Sequence, residues 1–205
     1  MSRTSMDMTR GSLKNQILFF SIPLMLSNLL QVLFNMSDIA VIGQFAGAMS
    51  LGAVGSTTTL ISMYTGFLIG LSGGINVLTA LYIGARNRKS VSETVHSAFL
   101  VSLAVGLILL ILGVSTSRGV LVLLNTKEEL IDKAALYIRI YFLGIPALAL
   151  YNFGNAVFSA AGDTGRPLRY LFLSGIVNVI LNLFFVIVCK LDVVGVALAS
   201  ALSQC

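Results

Sequence analysis

Four polar side chains stand in line within an otherwise apolar run from Ile17 to Gln44: Asn28, Gln31, Asn35 and Asp38. Spacings of three, four and three residues place them within an arc of about 80° on one helix face. An ionisable group inside a membrane span costs at least about 2.5 kcal/mol, and such groups face a partner or a water-filled path and carry function. Asp38 is therefore the first candidate for chemistry, as a carboxylate able to alternate between a charged and a neutralised form. The amides beside it have two readings. They offer oxygen and N–H groups to a cavity, or they join helices through hydrogen bonds worth about 0.6 kcal/mol each.

Other segments repeat the pattern. Ser174, Asn178 and Asn182 follow one another at i, i+4 spacing, again within about 80° of arc. Tyr137, Tyr141, Asn152 and Asn155 fall in one apolar segment, and Ser200 and Ser203 open the last. A common interior lined by amides, hydroxyls and tyrosines, with one carboxylate, is the simplest assembly of these faces. Hydrolytic or metal chemistry has no comparable support. The single histidine, His96, has no acid and nucleophile at a suggestive spacing, and no His or Cys cluster is arranged to hold zinc or haem. The sequence points away from an enzyme.

The elements that must position these residues are membrane helices. Of 205 residues, 57% are hydrophobic and 10% charged, against about 25% charged in ordinary soluble domains. The apolar runs are long enough to cross a hydrocarbon layer of about 30 Å. Six are predicted: Ile17 to Gln44, Ser56 to Ile83, Val91 to Thr116, Ala134 to Ala161, Leu168 to Cys189, and one opening at Val193. The sixth would rise only about 20 Å before Cys205, so a continuation of the chain is expected. Residues 1–16 read as a polar, basic segment without a removable signal, and 17–205 as a six-helix lobe.

Arginine and lysine set the orientation. Arg3, Arg10 and Lys14 precede the first span, Arg86, Arg88 and Lys89 follow the second, and Arg166 and Arg169 follow the fourth. Cytoplasmic loops carry the basic excess, which places the N-terminus inside. In a membrane protein the net charge of +5 is read this way, with no nucleic-acid partner implied. Pro23 and Pro146 each remove a backbone hydrogen bond and predict bends. Gly66, Gly70 and Gly74 recur at every fourth position and read as a smooth face for a neighbouring helix. Cys189 and Cys205 read as small packing residues.

In this order, "GSLKNQILFFSIPLMLSNLLQVLFNMSDIAVIGQ", "LIGLSGGINVLTALYIGARNR", "AALYIRIYFLGIPALALYNF", "SAAGDTGRPLRY" and "LDVVGVALASALSQ" resemble the multidrug and toxic compound extrusion (MATE) transporters over nearly the whole chain. The resemblance implies an all-α fold of two facing six-helix lobes, of which this chain is the N-terminal one, stopping within helix six. It implies export of amphiphilic, often cationic compounds across the cytoplasmic membrane in exchange for protons or sodium ions, without a cofactor. The family's acid in helix one falls on Asp38 and its bend-forming proline on Pro23. Its other cation-site positions match Asn178, Asn182 and Ser200, with Tyr137 in helix four. Many prokaryotic members carry a second aspartate where this chain has Asn182, so proton and sodium both stay open as coupling ions. Two further readings stand beside this one. A lipid-linked precursor flippase would need a basic interior, and a membrane scaffold would leave Asp38 replaceable.

Overall fold

The computed structural model describes residues 13–205, with side chains from residue 17 onward. Most of the basic N-terminal segment, including Arg3 and Arg10, lies outside the described residues. The described chain is helical throughout: α1 Leu13–Phe45, α2 Gly47–Gly84, α3 Arg88–Leu123, α4 Glu128–Phe142, α5 Ile145–Ala160, α6 Gly165–Leu183 and α7 Asp192–Ser203. Helices satisfy their backbone groups internally, which hydrocarbon demands. Among the described residues α1, α2, α3 and α6 are long and apolar enough to cross a membrane; α4 and α5 pass the same test together, bent by 50°, and α7 is a shorter apolar helix.

Several boundaries differ from the sequence expectation. The stretch "FAGAMSLGAVG" reads as a loop, yet only Ala46 separates α1 from α2, and Gly47 at φ +83° turns the chain. Its small residues are compatible with helix, and Ser50, Ala53 and Val54 are buried, so packing favours helix over loop. Helix α3 runs past Thr116 to Leu123. The hydroxyls of Ser115, Thr116 and Ser117 donate to carbonyls three or four residues back, absorbing a polar triplet that reads as a terminus. Gly66, Gly70 and Gly74 do not seat a neighbour: a side chain added at any of them would meet nothing within 4 Å. All three are exposed, and Gly66 borders open cavity space, so close packing has no partner there. Cys189 and Cys205 are exposed rather than packed.

The two prolines differ in their setting. Helix α1 continues unbroken through Pro23, with the Ser27 hydroxyl donating to the Pro23 carbonyl at 2.9 Å. Pro146 occupies the first turn of α5, just beyond the 50° turn at Leu143 and Gly144, where its missing N–H costs little. The core gathers where α4 crosses α2, α3 and α7, around Ile42, Leu68, Ile138, Phe142 and Val196. Tyr64 meets Phe142 edge to face at 4.8 Å. Helix α1 packs chiefly on α6. There the Phe34 ring fills the space a side chain at Gly175 would need, which brings the next turn of α1, with Asp38, against α6.

Candidate functional site

Asp38 is held from two helices. Asn182 of α6 donates its side-chain N–H to Asp38 Oδ1, and Ser200 of α7 donates to Asp38 Oδ2 at 3.2 Å. The same Asn182 amide also donates to Asn178 Oδ1 at 3.0 Å, and Asn178 Nδ2 lies 3.5 Å from Ser200 Oγ and 3.4 Å from Ser203 Oγ. Ser174, one turn earlier, donates to the Ser203 carbonyl. Three helices thus converge on one carboxylate through neutral groups.

One atom in this network is left over. Asn182 Oδ1 is buried without a hydrogen-bond partner, and an acceptor in that condition costs about 1–3 kcal/mol. The Asp38 carboxylate, this amide oxygen and the Ser200 hydroxyl are hard oxygen atoms, the donor type that small hard cations take. No group of three His, Cys, Asp or Glu side chains that could hold a metal ion occurs among the described residues.

Asp38 opens onto a cavity of about 1170 Å³ walled by α1, α2 and α4 to α7. Of the residues singled out in the sequence, Gln31, Asn35, Tyr137, Tyr141, Asn152, Asn155, Ser174, Asn178, Ser200 and Ser203 line it. Tyr137 and Tyr141 stack at 6.0 Å on the face of α4 toward Asp38. Asn152 spends its N–H on the Leu148 carbonyl at 2.9 Å, and Asn155 accepts from Ser159 at 3.3 Å. Asn182 lies behind the wall, fully buried. Asn28 is exposed on α1 outside the lining, because ten residues of helix separate it from Asp38 by about 15 Å.

Sequence reading missed the contribution of α2. Thr58, Ser62 and Thr65 line the cavity at i, i+4, i+7. That spacing was the available signal. Aromatic residues Phe34, Tyr151, Phe158 and Tyr170 complete a lining in which Asp38 is the one charged side chain among the described residues. The Arg166 guanidinium, paired with Asp163 at 2.9 Å, stands 5.9 Å from the centre of the Phe158 ring.

A carboxylate on the wall of a large amphipathic cavity inside a helical bundle invites comparison with known families. The MatE family model matches residues 23–184. The chain belongs to the MatE family. MatE is a family of transporters rather than of enzymes. A relative in Bacillus subtilis strain 168, the probable multidrug resistance protein YpnP, is 31% identical over 198 residues, which is 97% of this chain and 44% of that protein. Among solved structures, an outward-facing multidrug resistance MATE transporter of the MOP superfamily superposes with a TM-score of 0.91 at 26% identity, covering 100% of this chain and 45% of the other. A MOP superfamily transporter from Pyrococcus furiosus matches equally, with TM-score 0.91, 26% identity and the same coverage, and is described as having a binding pocket of reverse polarity that suggests a different function. The chain therefore spans less than half the length of these MatE relatives. Since one fold carries pockets of different polarity, the side chains of the cavity must decide what this MatE lobe handles.

Proposed function

We propose that the chain forms the N-terminal lobe of a cation-coupled antiporter that exports amphiphilic, often cationic compounds across the cytoplasmic membrane, working opposite a second six-helix lobe. The observation that carries this reading is the single carboxylate, Asp38, held by Asn182 and Ser200 on the wall of the 1170 Å³ cavity. Charged, it attracts a cationic compound. Neutralised by a proton, or paired with a sodium ion among the oxygens of Asn178, Asn182 and Ser200, it releases that compound. Neutralisation also lowers the cost of placing helix α1 in apolar surroundings, so a bend near Pro23 can follow. Alternation works only because the ion favours one of two states.

The polarity of the lining favours this substrate class over a lipid-linked precursor. Phosphates call for Arg or Lys, and neither lines the cavity among the described residues. Aromatic faces and hydroxyls suit planar cations instead. N-terminus inside is the orientation that accompanies export, with the basic ends of α2 and α6 at the cytoplasmic face.

Asp38→Asn in the complete transporter tests the reading. It keeps size and hydrogen bonding but fixes the site in a neutral form, so turnover stops. Cells lacking other efflux pumps should lose resistance to ethidium while the membrane level of the protein stays at that of the wild type. Full resistance in the Asp38→Asn variant would reduce the carboxylate to a helix-packing role and return the scaffold reading.

A further inference from the structure

The last turn of α7 sits in the elbow between α4 and α5, where the chain turns by 50° across Leu143 and Gly144. Gly144 is buried, and a methyl group there would lie 2.6 Å from Gln204 Oε1, 2.9 Å from Ala201 Cα and 3.1 Å from the Ala201 carbonyl oxygen. Carbon atoms pack at about 3.5–4.0 Å, so elbow and helix have no free play. The elbow is itself bonded on both sides: Gly144 N–H donates to the Tyr141 carbonyl, and Leu148 N–H donates to the Gly144 carbonyl, each at 3.0 Å.

This contact joins two parts of the cavity. Ser200, the donor to Asp38 Oδ2, directly precedes Ala201 and lies one turn before Gln204. Across the elbow, Tyr141 lies in the last turn of α4, and Ala147, Leu148 and Tyr151 carry the cavity wall into α5. Gln204 faces the same cavity, and its side chain engages the side chain of Tyr141. Its buried Oε1 has no hydrogen-bond partner. That oxygen is held against the elbow by packing rather than by a bond, so the Gln204 side chain touches both α4 and the turn that follows it.

We propose that Gly144 and Gln204 are positioning residues that transmit the engagement of Ser200 at Asp38 to the angle of the α4–α5 elbow, and so to the wall that meets the exported compound. The inference rests on the antiporter reading above. A cation captured at Asp38 competes for the Ser200 hydroxyl, which is then a ligand or has lost its acceptor. Helix α7 is unbroken from Asp192, beside the entry turn, through Ser200 and Ala201, so this stretch shifts as a unit. Close-packed contacts shift between discrete arrangements rather than stretching, so a shift of Ala201 against Gly144 requires the elbow to follow. The cation and the compound are then linked through a shared two-state element, and each alters the affinity of the other by the same factor.

The test measures ethidium affinity by fluorescence in the purified complete transporter, with and without the cation, sodium or proton, that shifts it in the wild type. Wild-type coupling of this kind is about 5–150-fold. Gly144→Ala forces the elbow and α7 apart and should reduce that ratio at least about fivefold, toward the lower bound of ordinary coupling. Gln204→Ala should reduce it by a smaller factor, while Gly119→Ala, where an added methyl meets nothing within 4 Å, should leave it unchanged. If Gly144→Ala does not fold, Gln204→Ala decides alone. A wild-type ratio in the folded elbow variants, alongside a ratio of one in Asp38→Asn, overturns the inference and leaves the antiporter standing. A ratio unaffected by Asp38→Asn overturns the antiporter reading first, and the elbow inference with it.

Discussion

Lys133 and Asp192 look ordinary in the sequence and turn out to be partners. The Lys133 ammonium donates to Asp192 Oδ2 at 2.7 Å and to Ser50 Oγ at 3.1 Å, tying the starts of α2, α4 and α7 at one end of the bundle. Asp192 holds a left-handed φ of +52°, and Lys190 one of +53°, so the turn into α7 is set by residues in a sparsely populated backbone region. Burial pulls the Asp192 carboxyl upward, but the hydrogen bonds and charge of Lys133 and the bond from Ser50 outweigh it and hold the group below its ordinary 3.8. A carboxylate depressed on folding adds stability above its unfolded value of about 3.9 and loses it as pH falls through the lower folded value. Asp192→Asn tolerates the same backbone and removes only the charge. With the pair's side chains 42% and 38% exposed, screening limits the loss at neutral pH to about 1 kcal/mol or less. Thermal unfolding in detergent should therefore show Asp192→Asn below wild type at pH 7. The gap should close below about pH 4; a gap constant across that window would mean the charge contributes nothing.

Among the elements, the packing of α1 on α6 decides whether the site exists. The Phe34 ring lies where a Gly175 side chain would stand, and Asp38 follows Phe34 by one turn. Gly175→Ala must push the helices apart, at a cost of about 1–3 kcal/mol for overpacking. It should lower the melting temperature and the efflux rate together. Phe34→Ala in the same chain should return part of both by vacating the space, and a double variant no better than Gly175→Ala would rule this contact out as the cause. The helices themselves were legible in the sequence because hydrocarbon demands long apolar runs, and Asp38 was legible because a carboxylate inside such a run is a costly exception. Much of the rest was not. The hydroxyls of Thr57 and Thr58 are spent on the carbonyls of Val54 and Gly55 in their own helix, so nothing in their type announces a cavity. Lys133 and Asp192 are 59 residues apart, and each has a nearer opposite charge in sequence. The glycine repeat of α2 reads as a packing face although no atom lies within 4 Å of where its side chains would stand, because spacing reports a smooth surface without naming its neighbour.

For the whole molecule, the order of helices fixes which ends lie together. The turn at Ala46, the segment before α4 and the entry to α7 share the end marked by Lys133, Asp192 and Ser50. The opposite end carries Arg86 between α2 and α3, Arg88 and Lys89 at the start of α3, and Arg166 and Arg169 at the start of α6. Charges of both signs gather at the first end, where Arg118 of α3 pairs with Asp132 of α4 at 3.3 Å. The excess of arginine and lysine at the second end predicts that it faces the cytoplasm. Thiol labelling in cells separates the two orientations, provided that Cys189 and Cys205, both exposed, are first replaced by serine. A cysteine at Arg88 should then react with a membrane-impermeant maleimide only after permeabilisation, and one at Lys127 should react in intact cells. The reverse pattern would invert the protein. Under the proposed antiporter reading it would also reverse the side from which Asp38 meets a coupling cation.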